Sequence, residues 1–149
     1  MSESKDKIQD VLKKIQLAKV SNDWSDINSE LISRRLNWYR NRKNGLLFGT
    51  DVKKAYSLLI LEYLKIAPIE APIIFENDSK IIWRSYNWCP VLEACKIGGF
   101  DTREICKKGW ESSAQLLIQQ INSKLCFTRN YCAIRPYTPY CEEIIELSE

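Results

Sequence analysis

Six cysteines are the residues of this chain best suited to chemistry, because the sequence contains no histidine. Without an imidazole, the usual general base, zinc ligand and partner of a catalytic cysteine are absent. Cys89 directly precedes Pro90 at a predicted helix start. Proline is favoured at the first helical position, so we expect the Cys89 sulfur beside unpaired backbone N–H groups at the positive end of the helix dipole. This pattern predicts a reactive thiolate with a lowered pKa. The alternative is a cysteine that only packs.

The other five cysteines lack the spacing of a metal site. Cys95 lies on another face of the same predicted helix, and Cys106 lies near the start of the next one. Cys126 and Cys132 are predicted to share one face of a strand, and Cys141 begins the last strand. No Cys-x-x-Cys pair occurs. We therefore expect no cofactor, and a metal ion or iron–sulfur cluster on the cysteines is the alternative.

Two arginines lie in the middle of predicted strands, on faces that are otherwise largely apolar or aromatic. Arg84 and Arg129 would be costly to bury unless each met an anion. A carboxylate or phosphate ligand would satisfy them, and so would the neighbouring carboxylates of Glu93, Glu142 or Glu143. Hydroxyl donors to the same site are expected from four tyrosines: Tyr86, Tyr131, Tyr137 and Tyr140.

Hydrophobic periodicity predicts an α+β fold, with N-terminal helices packed on an antiparallel sheet. Two helices have apolar stripes over 8–18 and 24–38, and a third spans 52–66. A hairpin follows at 72–88, then helices at 91–97 and 102–122, and strands at 125–132 and 140–147. We predict one domain, 1–149, with a helical region 1–44 and an α+β core 45–149. The C-terminal end of the second helix is basic, where the helix dipole favours cations: Arg34, Arg35, Arg40, Arg42 and Lys43.

Charge and hydropathy narrow the range of partners. The 22 basic and 19 acidic residues give a net charge of +3, which is too small for a nucleic-acid-binding face. No apolar run approaches the roughly 18 residues of a membrane span, and no apolar leader is visible. We therefore expect a cytoplasmic protein without nucleic-acid or membrane partners. The five tryptophans and seven tyrosines would cover either a small-molecule pocket or a homodimer face.

The order of these motifs resembles a known family. Cys89-Pro90 is followed by Glu93-Ala94-Cys95, then by Cys106 leading into a long helix, a strand with Arg129, and Tyr140-Cys141 entering the last strand. This arrangement is similar to the L-2-amino-thiazoline-4-carboxylic acid hydrolase-like family and, more distantly, to the 4-vinyl reductase small-molecule-binding domain. The resemblance covers about residues 45–147. It implies a cytosolic α+β domain that binds a small organic molecule, with Cys89 and Cys106 as site thiols and Cys141 as a third wall residue.

The leading hypothesis is hydrolysis of a C–N bond in a small cyclic, thiazoline-type carboxylate. The Cys89 thiolate would attack, and N–H groups at the helix start would stabilise the developing charge. Glu93 or a tyrosine would move protons, the alternative being that Glu93 only stabilises the helix start. The catalytic residues would be Cys89, Cys106 and Glu93, and the substrate-binding residues Arg84, Arg129, Tyr86, Tyr140 and Cys141. The rival hypothesis is a non-catalytic module that binds a small molecule or a cysteine-ligated metal.

Overall fold

The chain has the predicted α+β architecture. The computed structural model describes residues 2–43 and 45–148, so the boundary predicted at residue 44 falls outside the described residues. The helices are α1 (Ser2–Ser21), α2 (Ser25–Arg40), α3 (Asp51–Tyr56), α4 (Pro90–Gly98), α5 (Thr102–Gly109) and α6 (Glu111–Ile118). The strands are β1 (Ile73–Glu76), β2 (Lys80–Ser85), β3 (Leu125–Arg129) and β4 (Cys141–Leu147). None of the described helices combines the length and apolar character needed to cross a bilayer.

The four strands form one antiparallel sheet in the order β1-β2-β4-β3. Because side chains alternate along a strand, β2, β3 and β4 each present one buried and one more exposed face, whereas the edge strand β1 is largely exposed. Ile81, Ile145 and Phe127 lie opposite one another across the three strands and are buried. The next row on this inner face holds the fully buried Trp83 beside Glu143. The helices cover this face, so the core lies between the sheet and the helical layer.

The third predicted helix is the core helix of the domain. The Thr50 hydroxyl caps α3 by accepting a hydrogen bond from the Lys53 N–H at 3.2 Å. From Ser57 to Tyr63 the helix continues in the wider π form, with Leu58 and Leu59 fully buried. It therefore ends a turn earlier than the predicted 52–66 and contacts β2 and β4 directly.

The two N-terminal helices form an outer layer over the later helices. Helix α1 packs on α4, and α2 packs on α6. Ile15 of α1 and Ile27 of α2 are buried, as their apolar stripes predict. Because α4 begins with Cys89-Pro90, this arrangement places the N-terminal helices beside the predicted thiol.

Two further predicted elements are wrong in length. The helix predicted over 102–122 is broken at Trp110 into α5 and α6, because Gly109 has a low helix propensity and lies buried against Trp24 and Ile27 of α2. The strand predicted over 125–132 ends at Arg129, since the Asn130 carboxamide oxygen accepts the Cys132 N–H at 3.1 Å and closes a turn. Cys126 and Cys132 therefore do not share a strand face.

Candidate functional site

Cys89 occupies the position predicted for it, but its ionisation is opposite to the prediction. The residue is the N-cap of α4, with φ −133° and ψ 117°, and Pro90 begins the helix. The sulfur makes no capping hydrogen bond. Burial raises the pKa of the Cys89 thiol, and the nearby Leu92 N–H and Arg135 guanidinium offset this effect only in part. Burial destabilises the Cys89 thiolate more than the N–H groups of the helix start stabilise it. The predicted lowered pKa of Cys89 is therefore wrong.

Three more cysteines lie close to Cys89 on the helix-covered side of the sheet, and we call these four residues the cysteine cluster: Cys89, Cys95, Cys106 and Cys141. Each of the other three affects the ionisation of Cys106. Burial raises the pKa of Cys95 and of Cys106 to about 12, so both are neutral thiols at physiological pH. Within the described part of the chain, no three cysteine, aspartate or glutamate side chains are placed to hold a metal ion.

The Cys141 sulfur receives two N–H donors from one residue. The Arg135 backbone N–H and its Nε donate to Cys141 Sγ at 3.4 and 3.3 Å, while Nη1 donates to the Asn87 carbonyl at 2.6 Å. Sequence reasoning missed Arg135, because its role depends on a loop that folds back beside β4.

Both predicted substrate-binding arginines already have carboxylate partners. Arg84 Nε lies 3.2 Å from Glu142 Oε1, and Arg129 Nε lies 3.5 Å from Glu143 Oε2. The Ser85 hydroxyl also donates to Glu143 at 2.7 Å. Burial disfavours the Arg129 cation, but the Glu143 charge outweighs it and the pKa of Arg129 is raised. The ion-pair alternative is therefore confirmed for both arginines.

The predicted substrate-binding residues lie on opposite faces of the sheet. Arg84 stacks on the Tyr140 ring at 4.3 Å, and Tyr140 contacts Tyr86 at 5.8 Å between ring centroids, on the outer face. Cys141 and Arg129 share the inner face with the buried strand residues. A one-residue step along a strand reverses the face, so no single face of the sheet carries both groups. Their shared role in substrate binding stays a prediction.

The proposed proton donors also have local partners away from a common centre. Glu93 is partly exposed and pairs with Lys96 at 3.6 Å, one turn further along α4. The Tyr131 hydroxyl donates to Glu111 Oε2 at 2.8 Å. The Tyr137 ring is half-exposed. These contacts place none of Glu93, Tyr131 and Tyr137 next to the Cys89 sulfur.

A groove of about 580 Å³ lies between α1, α2, the π-helical segment and the start of α4, and we call it the α1–α2 groove. Its apolar walls include Leu31, Trp38, Tyr63, Val91 and Trp110. Trp38 and Tyr63 pack edge to face, with 5.0 Å between ring centroids. Pro90 also lines it, so the groove adjoins the helix start that carries Cys89.

Arg35 is the buried charged residue of this groove. It is 7% exposed, its Nε is buried without a hydrogen-bond partner, and its guanidinium lies 5.1 Å from the centre of the Tyr63 ring. Among the described residues, no carboxylate forms an ion pair with it. Burial lowers the pKa of Arg35 to about 10; the neighbouring Tyr63 side chain opposes this effect in part, and the Arg129 cation adds to it. Arg35 is thus still charged at pH 7.

The sequence carries a signal for Arg35 that the helix-dipole explanation overlooked. The apolar stripe of α2 contains Leu31 and Trp38. Position 35 lies four residues after the first and three before the second, so it belongs to the same helix face. An arginine where the stripe requires a core residue indicates a buried cation. The dipole explanation of this residue is therefore insufficient.

Comparisons of this chain with models of protein families, with curated proteins and with solved structures find no match. The resemblance to the hydrolase-like family accordingly stays a prediction, and the site must be argued from its own geometry.

Proposed function

We propose that this protein is a small-molecule-binding domain whose ligand lies in the α1–α2 groove. The observation that carries the proposal is the groove itself, whose volume of about 580 Å³ is typical of ligand sites. Aromatic walls supply apolar contact area, and the buried Arg35 supplies one polar group that can orient a ligand. Such a combination of apolar walls and few polar groups is characteristic of binding pockets.

The ionisation of the cysteines supports binding over catalysis. A thiol attacks carbon as its thiolate. Burial raises the pKa of Cys89, Cys95 and Cys106, so each is held in its less reactive form at neutral pH. Arg84 and Arg129, which the hydrolase hypothesis assigns to a substrate carboxylate, are paired with glutamates.

A groove-filling substitution tests the binding proposal. Leu31→Trp places an indole ring inside the groove. Val20→Trp adds the same ring outside the groove, at a residue that is 90% exposed. We expect 8-anilinonaphthalene-1-sulfonate to bind the unmodified protein and Val20→Trp alike, and to bind Leu31→Trp at least tenfold more weakly. Equal binding to Leu31→Trp, with its circular dichroism spectrum unchanged, would remove the groove from consideration.

The second candidate function is cysteine-dependent hydrolysis of a C–N bond in a thiazoline-type carboxylate. It is supported by the family resemblance and by the Leu92 N–H and Arg135 guanidinium, which act to lower the pKa of Cys89. The sulfur would attack the ring carbon, the C–N bond would break, and the thiol proton would pass to the nitrogen. Water would then displace the sulfur and return a proton to it.

This second candidate is tested by turnover of 2-amino-thiazoline-4-carboxylate. Cys89→Ser should abolish it, and Cys126→Ser should not, since Cys126 is exposed on the outer part of β3. Turnover by a folded Cys89→Ser variant would eliminate the covalent role.

A further inference from the structure

The guanidinium of Arg35 is positioned to form an ion pair with an anion. Tyr63 covers the guanidinium face at 5.1 Å, but the buried Nε has no acceptor. A guanidinium presents pairs of parallel N–H groups, which fit the two oxygens of a carboxylate. A buried cation without such a partner is strongly disfavoured. Its natural complement is therefore an anion supplied from outside the chain.

The carboxylates that also line the groove are engaged elsewhere. Glu30 lies 2.9 Å from Lys14 and 2.6 Å from Arg34, and Asp10 lies 2.9 Å from Lys14. These side chains belong to the partly exposed mouth of the groove, whereas Arg35 is buried. Neither acid therefore neutralises Arg35.

The charge of the second guanidinium near Arg35 is already balanced. Arg129 lies close enough to lower the pKa of Arg35 and is paired with Glu143 at 3.5 Å, although its buried Nη1 has no hydrogen-bond partner. Among the described residues that line the groove, Arg35 is the one buried cation without a carboxylate partner, and it matches one negative charge. A phosphate dianion would need a second unpaired cation at the same depth.

We infer that the ligand of the α1–α2 groove is an amphipathic monocarboxylate, whose carboxylate binds the guanidinium of Arg35 and whose hydrocarbon body lies against Trp38, Tyr63 and Trp110. This inference rests on the proposed function and names the ligand class. Within the aromatic walls, the body of the ligand would be an aromatic or short aliphatic group. The affinity comes from burying that group, and the selectivity for an acid comes from Arg35.

The inference is tested with matched pairs of acids and neutral amides. Phenylacetate, 4-phenylbutanoate and octanoate are titrated into the protein beside their amides, with inorganic phosphate as a competitor, and binding is measured by calorimetry. We expect the best acid to bind at least tenfold more tightly than its amide, because a hydrogen bond between two charged groups is stronger than one to a neutral amide. Phosphate should not compete.

Two variants separate the inference from the proposal on which it rests. Arg35→Gln should remove the preference for the acid, while Arg40→Gln, which changes an exposed arginine on the same helix, should retain it. Acid and amide binding with equal affinity, both lost in Leu31→Trp, would overturn the carboxylate inference and leave the groove proposal standing. The carboxylate inference and the groove proposal would both be overturned if no acid or amide bound at millimolar concentration. The same holds if Leu31→Trp left their binding unchanged. Circular dichroism and the Tm of each variant establish that it is folded.

Discussion

Replacement of Arg35 by methionine should stabilise the protein without ligand, although it removes a buried side chain that a binding site needs. Methionine retains an unbranched apolar stem and has no charge to bury. Burial lowers the pKa of Arg35 to about 10, which means that the fold holds the cation about 3 kcal/mol less favourably than water does. At pH 7 both the folded and the unfolded chain are protonated, so this penalty is present in full.

Loss of the contact with Tyr63 reduces the expected increase in the free energy of unfolding. A buried cation–π contact contributes about 1 kcal/mol, and methionine loses it. The net increase in the free energy of unfolding is therefore about 2 kcal/mol, equivalent to a rise in Tm of about 4–8 °C for a domain of this size. Replacement of a buried charge by an apolar side chain of similar volume is often stabilising.

Urea unfolding at pH 7, followed by tryptophan fluorescence and by circular dichroism, measures this effect. Arg40→Met is the matched control, because Arg40 is exposed on the same helix and its replacement should change stability by less than about 0.5 kcal/mol. If Arg35→Met instead lowers the free energy of unfolding by more than 1 kcal/mol at an unchanged m-value, Arg35 has a satisfactory partner within the fold. The argument for an external anion then fails.

Three further predictions concern the thiols, the inner face of the sheet and a helix cap. At pH 7.5 iodoacetamide should label the exposed Cys126 well before Cys89, whose pKa burial raises; faster labelling of Cys89 in peptide maps would restore the thiolate hypothesis. Glu143→Gln should lower the free energy of unfolding by about 3 kcal/mol in urea, because it leaves the Arg129 cation buried without its partner. A loss below 1 kcal/mol would indicate that Arg129 reaches water. Thr50→Ala should cost about 1 kcal/mol by removing the hydroxyl that caps α3, and an unchanged Tm would contradict this.

The order and type of the elements follow from the sequence because they depend on local patterns. The hairpin turn is an example, since the Asn77 carboxamide oxygen accepts the Ser79 and Lys80 N–H groups at 2.9 and 2.8 Å. Gly99 ends α4 with φ +70°, a left-handed conformation that glycine adopts readily. The placement of Cys89 before Pro90 at the start of α4 is likewise a local consequence of proline geometry.

Element lengths depend partly on contacts that are distant in the sequence. The break between α5 and α6 places Gly109 against Trp24 and Ile27, more than 80 positions earlier. Helical periodicity within 102–122 contains no information about that contact. The same holds for Arg135, which reaches the Cys141 sulfur and the Asn87 carbonyl only because the loop before β4 returns to the end of the sheet.

The sequence by itself determined which groups were available: six thiols, no imidazole, and arginines within apolar patterns. Only the tertiary structure decided their charge states and partners. It raised the pKa of Cys89 through burial, paired Arg84 and Arg129 with glutamates, and left Arg35 without a carboxylate partner among the described residues. The physical reason is that desolvation and ion pairing depend on every segment that packs around a group, whereas capping and periodicity depend on its neighbours along the chain.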